Sequence, residues 1–135
     1  MATRPSPLLL SSALVNLVGS LVCLFAGGEL LAAFGATGTS LERALVQLVG
    51  AGLFGFAMLN WMNRHAPIGG IYGRPLVVAN LAHTVTAALS LLQIIRRGEA
   101  AGAVVAAFAF YGVFAIGFGV RLFAGPPATL RQDDR

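Results

Sequence analysis

Four stretches of the chain carry no charged residue: Pro5–Gly28, Ala44–Asn63, Pro75–Ile95 and Ala100–Val120. Each is close to the roughly 20 residues that cross a hydrocarbon core about 30 Å thick. Lipid offers no water to bond an open backbone, so each stretch is predicted to be a helix. The expected spans cover about 7–28, 41–63, 75–96 and 100–122, all within one transmembrane domain of residues 1–135. A loose polar tail is expected over 125–135. The first stretch could pass for a secretory signal peptide. Its basic region is Arg4 alone, however, and its apolar part is longer than an ordinary h-region, so it is read as a retained helix.

The punctuation between the stretches agrees. Ser40 is placed to cap the second helix, whose first turn carries Glu42. Gly73-Arg74-Pro75 opens the third helix, with proline where a missing N–H is harmless. Arg96-Arg97-Gly98 closes it with cations and a glycine. Gly125-Pro126-Pro127 stops the fourth.

Composition turns four helices into a membrane protein. Of 135 residues, 57% are hydrophobic and only 10% charged, against about 25% charged in soluble domains. That shortage excludes a soluble enzyme, a disordered tail and a nucleic-acid module. All nine basic residues are arginines, set against five acids. They sit singly or in pairs at the ends of apolar runs, where topology signals belong. Arg4, Arg64, Arg74, Arg121, Arg131 and Arg135 fall on one side, and Arg43, Arg96 and Arg97 on the other. The positive-inside rule then puts both termini in the cytoplasm. The single cysteine, Cys23, excludes an internal disulfide and reads as a small buried hydrophobe.

The helix faces predict an all-α, up-down four-helix bundle. On the third helix, Asn80, His83, Thr84, Thr86, Ser90 and Gln93 share one half-circle, which should face protein rather than lipid. Leu81, Val85, Ala88, Leu89, Leu92 and Ile95 share the other. The first helix has a matching seam of Ser12, Asn16, Gly19, Ser20, Cys23 and Gly27, small enough for close helix approach. Ala51 and Gly55 on the second helix, and Ala115 and Gly119 on the fourth, repeat small-xxx-small spacing. Phe110, Phe114 and Phe118 form an aromatic row suited to core or lipid contact.

Depth arithmetic sharpens this picture. Asn16 and His83 each lie about 12 Å into their helices, and Tyr111 about 15 Å from the same edge. Asn16, His83 and Tyr111, with Thr84, are therefore expected in one polar layer near mid-membrane, with the first helix facing the third across it. His83 is the ionisable residue nearest a span's centre and could relay protons or ligate haem. His65 sits about 12 Å lower, so one chain offers no haem pair. A neutral His83 bonded to Asn16 or Tyr111 is the plainer reading. Glu29 follows Gly27-Gly28 and reads as a solvated interfacial carboxylate.

The second loop runs from Asn60-Trp61-Met62-Asn63-Arg64-His65 to Ile68-Gly69-Gly70-Ile71-Tyr72-Gly73-Arg74-Pro75. One reading is an anion or lipid-headgroup pocket of Arg64, Gly69, Gly70, Tyr72, Arg74 and Asn80. Arginines would supply charge there, and the glycine backbone and a helix start would supply N–H groups. The plainer reading, which carries more weight, is a tight turn whose Trp61, Tyr72 and arginines anchor in the headgroup layer. There is no paired-acid site, Ser/His/Asp set, P-loop or metal cluster in the sequence, so neither catalysis nor a cofactor is expected.

The run Gln47-Leu48-Val49-Gly50-Ala51-Gly52-Leu53-Phe54-Gly55-Phe56-Ala57-Met58-Leu59-Asn60-Trp61-Met62, with Ile68-Gly69-Gly70-Ile71-Tyr72-Gly73-Arg74-Pro75, Asn80 and His83, resembles a group of small uncharacterised bacterial four-span membrane proteins. The resemblance covers the central third of the chain and implies a bacterial inner-membrane address without an assigned activity. Small multidrug transporters and fluoride channels share the size, but the first helix lacks the mid-span Glu of the former and no motif of the latter is present. The leading expectation is a non-enzymatic protein that binds a lipid or small apolar ligand, or serves as an accessory subunit of a membrane complex. The alternative is a small homo-oligomeric transporter or channel that uses the layer around His83 and pairs through glycine faces. Expected partners are membrane lipids and either a second copy or a larger membrane complex, with no nucleic acid.

Overall fold

Apolar runs free of helix breakers can satisfy their backbone only internally, and they do so as helices. The computed structural model describes residues 5–65, 73–98 and 101–123, all helical apart from short connections. Among the described residues the order is α1 (Pro7–Phe25), α2 (Gly27–Ala33), α3 (Ser40–Met62), α4 (Gly73–Arg96) and α5 (Gly102–Phe123). The four longer helices, α1, α3, α4 and α5, are long and apolar enough to cross a membrane. The protein is an all-α membrane bundle.

Two local details differ from the sequence expectation, and a third was not foreseen by it. The first span ends at Phe25, where Ala26 leaves helical geometry (φ −122°, ψ 33°), and the chain restarts as the short α2. Gly27-Gly28 inside an apolar run explains the break, since glycine weakens a helix interior by up to about 1 kcal/mol. The cap of α3 is Thr39 rather than Ser40. The Glu42 backbone N–H donates to the Thr39 hydroxyl (3.3 Å), and the Thr39 N–H donates to the Glu42 carboxylate (2.6 Å). This reciprocal box satisfies two N–H groups at the helix start. Finally, α2 ends in a Schellman turn: Gly35 has φ +75°, with Ala36 N–H on the Leu31 carbonyl (2.9 Å) and Gly35 N–H on that of Ala32 (3.0 Å).

The helices alternate in direction and pack as two close pairs, α1 with α3 and α4 with α5. Lipid tails are as apolar as leucine, so burial alone does not hold such pairs together; close packing and hydrogen bonds must. Small residues supply the closeness in the first pair. A Cβ on Gly50 would lie 2.8 Å from the Cys23 Cβ and 3.0 Å from the Leu24 Cγ. Gly27 faces Val46 and Gly19 faces Leu53 in the same way. Gly52 and Gly55 have no neighbour within 4 Å, and Gly119 faces Leu81 of α4.

The two pairs meet at the end that holds the starts of α1 and α4. There Leu9, Leu76, Val77 and Phe118 form the buried core, with Leu8, Leu81, Phe114 and Leu122 against it. The Ser6 N–H also donates to the Arg64 carbonyl (2.7 Å), tying the start of α1 to the end of α3. Toward the other end the pairs touch little.

Replacing Gly50 by Leu should therefore lower stability by about 1–3 kcal/mol or more, the scale of overpacking a close contact. Gly52→Leu, which meets open space, should be nearly neutral. Unfolding of the two variants in detergent, followed by loss of helical circular dichroism, measures the difference.

Candidate functional site

A buried hydrogen-bonded clamp joins three helices. Ser12, Asn60 and Asn80 come from α1, α3 and α4, and each is almost wholly buried. The Asn60 amide nitrogen donates to the Asn80 Oδ1 (2.8 Å) and to the Ser12 Oγ (3.0 Å). The Asn80 nitrogen returns a bond to the Asn60 Oδ1 (2.8 Å) and gives its second to the Leu76 carbonyl (2.9 Å). Each amide nitrogen has two hydrogens, so both asparagines are saturated as donors. Asn16 also donates to the Ser12 Oγ (3.1 Å), and the Thr84 hydroxyl donates to the Asn80 carbonyl (2.8 Å). With the amides of Asn60 and Asn80 engaged in this way, the pair holds the helices in register and offers a ligand little.

Asn80 is thereby corrected. It is not part of a headgroup pocket, because its amide points into the bundle and is fully engaged there. Arg64 donates to the Trp61 carbonyl (2.7 Å) and stacks on the Trp61 ring at 4.3 Å, which is the anchoring geometry of an interfacial turn. Arg74 is exposed. Gly69, Gly70 and Tyr72 lie outside the described residues, as does the tail over 125–135.

The expected layer around His83 is divided between two spaces. His83 stacks on Phe56 (centroids 4.6 Å apart) and meets the edge of Tyr111 (5.7 Å). These are ring contacts rather than the expected hydrogen bond to Asn16 or Tyr111, and the buried His83 Nε2 has no partner. His83 borders an open groove between α3 and α4. Asn16, Thr84 and Tyr111 instead share a void of about 10 Å³ with Ser12 and Phe114, room for about one water.

The polar half of α4 is also corrected. Only its Asn80–Thr84 edge is buried in the bundle, alongside Leu76, Val77 and Ala88; Thr86, Ser90 and Gln93 are exposed. Packing against α5 turns the helix so that Leu81, placed on the lipid side by the pattern, lies against the core.

Above the clamp, where the two pairs diverge, lies a cavity of about 440 Å³. Val15, Val22, Leu31, Val46, Leu53 and Ala107 are typical of its wall, with contributions from α1, α2, α3 and α5. Phe34, at the end of α2, and Phe110 also line it. Asn16, Cys23 and Tyr111 are its polar members, and no charged side chain lines it. Its size falls in the 300–1,000 Å³ range of small-molecule sites. Sequence reasoning placed Asn16 and Tyr111 at this depth but missed Asn60 in the clamp and α2 in the cavity wall. The signals were present: Asn60 lies inside an uncharged run, and Gly27-Gly28 interrupts another.

No family model, curated protein or solved structure matches this chain.

Removing the reciprocal pair in steps tests the clamp. Asn60→Leu and Asn80→Leu should each destabilise the bundle by leaving the other amide unpaired. The double variant should be less damaging than the sum, with a coupling of about 0.6–1.7 kcal/mol, the scale measured for such bonds in membrane bundles. A double-mutant cycle of unfolding in detergent reads it.

Proposed function

We propose that the chain is a non-enzymatic membrane protein that holds a lipid or small apolar ligand in the cavity between its helix pairs. The observation that carries this reading is the 440 Å³ space itself, walled by aliphatic and aromatic side chains and closed at one end by the clamp and the Leu9–Leu76–Val77–Phe118 core. Two uncharged hydrogen-bonding groups, the Asn16 amide and the Tyr111 hydroxyl, mark the deep end, which suits an acyl or isoprenoid chain with at most one neutral polar group. The absence of any cation in the lining disfavours a phosphate or carboxylate inside. The same reading gives an address in a bacterial inner membrane with both termini cytoplasmic. The bacterial address is what the resemblance implies, and the orientation rests on the arginine bias of six to three, which opens the cavity toward the outer leaflet. Service as a subunit of a larger membrane complex is compatible with this ligand site.

Transport through the His83 layer is the second reading, favoured by the unpartnered buried imidazole nitrogen. It would require a polar path past the apolar core beneath the clamp, and the buried residues there are Leu9, Leu76, Val77 and Phe118. The ligand site is therefore the stronger reading.

Ala107→Phe fills the cavity from α5, whereas Ala109→Phe places the same ring on the exposed side of that helix. Native mass spectrometry from mild detergent should show retained lipid falling about tenfold in the first variant, the equivalent of about 1.4 kcal/mol, and unchanged in the second. Equal retention in both would overturn the site. His83→Ala should leave retention intact.

A further inference from the structure

The outward side of α4 places polar groups where lipid would surround them. The side chains of Thr86, Ser90 and Gln93 are exposed and make no hydrogen bond to another described residue, whereas Thr84, one face away, returns its hydroxyl to a carbonyl of its own helix. Thr86 lies at the middle of the span and Ser90 about 9 Å from its end, so neither reaches water. Polar side chains at such depth face protein or a water-filled space. His83, at the edge of the same stripe, has a buried Nε2 without a partner.

The surface is shaped for a helix. Ala82, Thr86 and Ser90 recur every fourth residue, which lets a second backbone come close. Beside them Phe56, Ala79, Ala82, His83, Thr86 and Ala87 line an open groove of about 500 Å³. The outward glycines of α3, Gly52 and Gly55, have open space too but no hydrogen-bonding side chain that demands a partner.

The chemistry of the stripe selects its occupant. Hydroxyls and carboxamides each both donate and accept, so the stripe is complementary to itself, and the Asn60–Asn80 pair shows reciprocal amide bonding already used inside the bundle. Two copies inserted in the same direction and related by a twofold axis along the membrane normal present identical stripes to each other. We propose that α4 pairs with α4 of a second copy of this chain along Ala82, Thr86 and Ser90, with Gln93 completing the contact near the membrane surface. The pairing is independent of the cavity reading.

Single cysteines in the full chain, in a Cys23→Ala background and in native membranes, test it. On oxidation, Thr86→Cys and Ser90→Cys should give a disulfide-linked band of twice the chain mass at least tenfold more strongly than Val85→Cys and Val113→Cys, two lipid-exposed controls on α4 and α5. The Thr86→Leu/Ser90→Leu variant should keep its helical circular dichroism and its retained lipid but run as a monomer in native mass spectrometry. Cross-linking at 86 and 90 no stronger than at the controls overturns the pairing. So does a cross-linked band at the mass of a different protein, or a double-leucine variant that stays dimeric.

Discussion

Hydrocarbon gives a membrane helix no hydrophobic reason to leave lipid for protein, so every contact in this bundle has to be earned by close packing or by hydrogen bonds. The clamp of Ser12, Asn60 and Asn80 supplies the second kind. Three helices contribute to it, and both amide nitrogens use all their hydrogens. Breaking it would strand amides where water cannot reach them, which is why it can fix the relative height and rotation of α1, α3 and α4.

The remaining architecture follows from where such contacts are concentrated. The Gly50 approach to Cys23 draws α3 onto α1, and the aliphatic core around Phe118 draws α4 and α5 onto α1 at one end. Beyond that end the two pairs are joined by little. Their divergence leaves a cavity which α2, turned aside at Ala26, helps to wall. The same asymmetry rotates α4 so that part of its polar side faces outward. The cavity and the outward-facing polar stripe of α4 are thus two consequences of one uneven distribution of close contacts.

Much of the fold was legible residue by residue. The uncharged runs located the four spans, and Gly98 ends α4 with a left-handed backbone (φ +76°) where the cationic close had placed it. The Ser12–Cys23 seam reads directly as the buried face of α1, because small side chains have few other uses there. The site was harder. Asn60 looked like the start of a polar loop, and its role depends on Asn80 arriving from a helix twenty residues away. His83 looked central by depth, yet depth does not say on which side of Tyr111 a ring will sit.

Hydropathy and spacing by themselves determined that this is a four-span helical membrane protein, the approximate depth of each polar group, and the ends of its helices. These are one-dimensional properties, because the bilayer has a fixed thickness and requires every backbone polar group within it to be hydrogen-bonded. Only the tertiary structure decided the rotation of α4, the pairing of two asparagines into a clamp and the opening of a cavity beside them. Those depend on how closely particular side chains let neighbouring helices approach, a property of pairs of surfaces that a single helix does not carry.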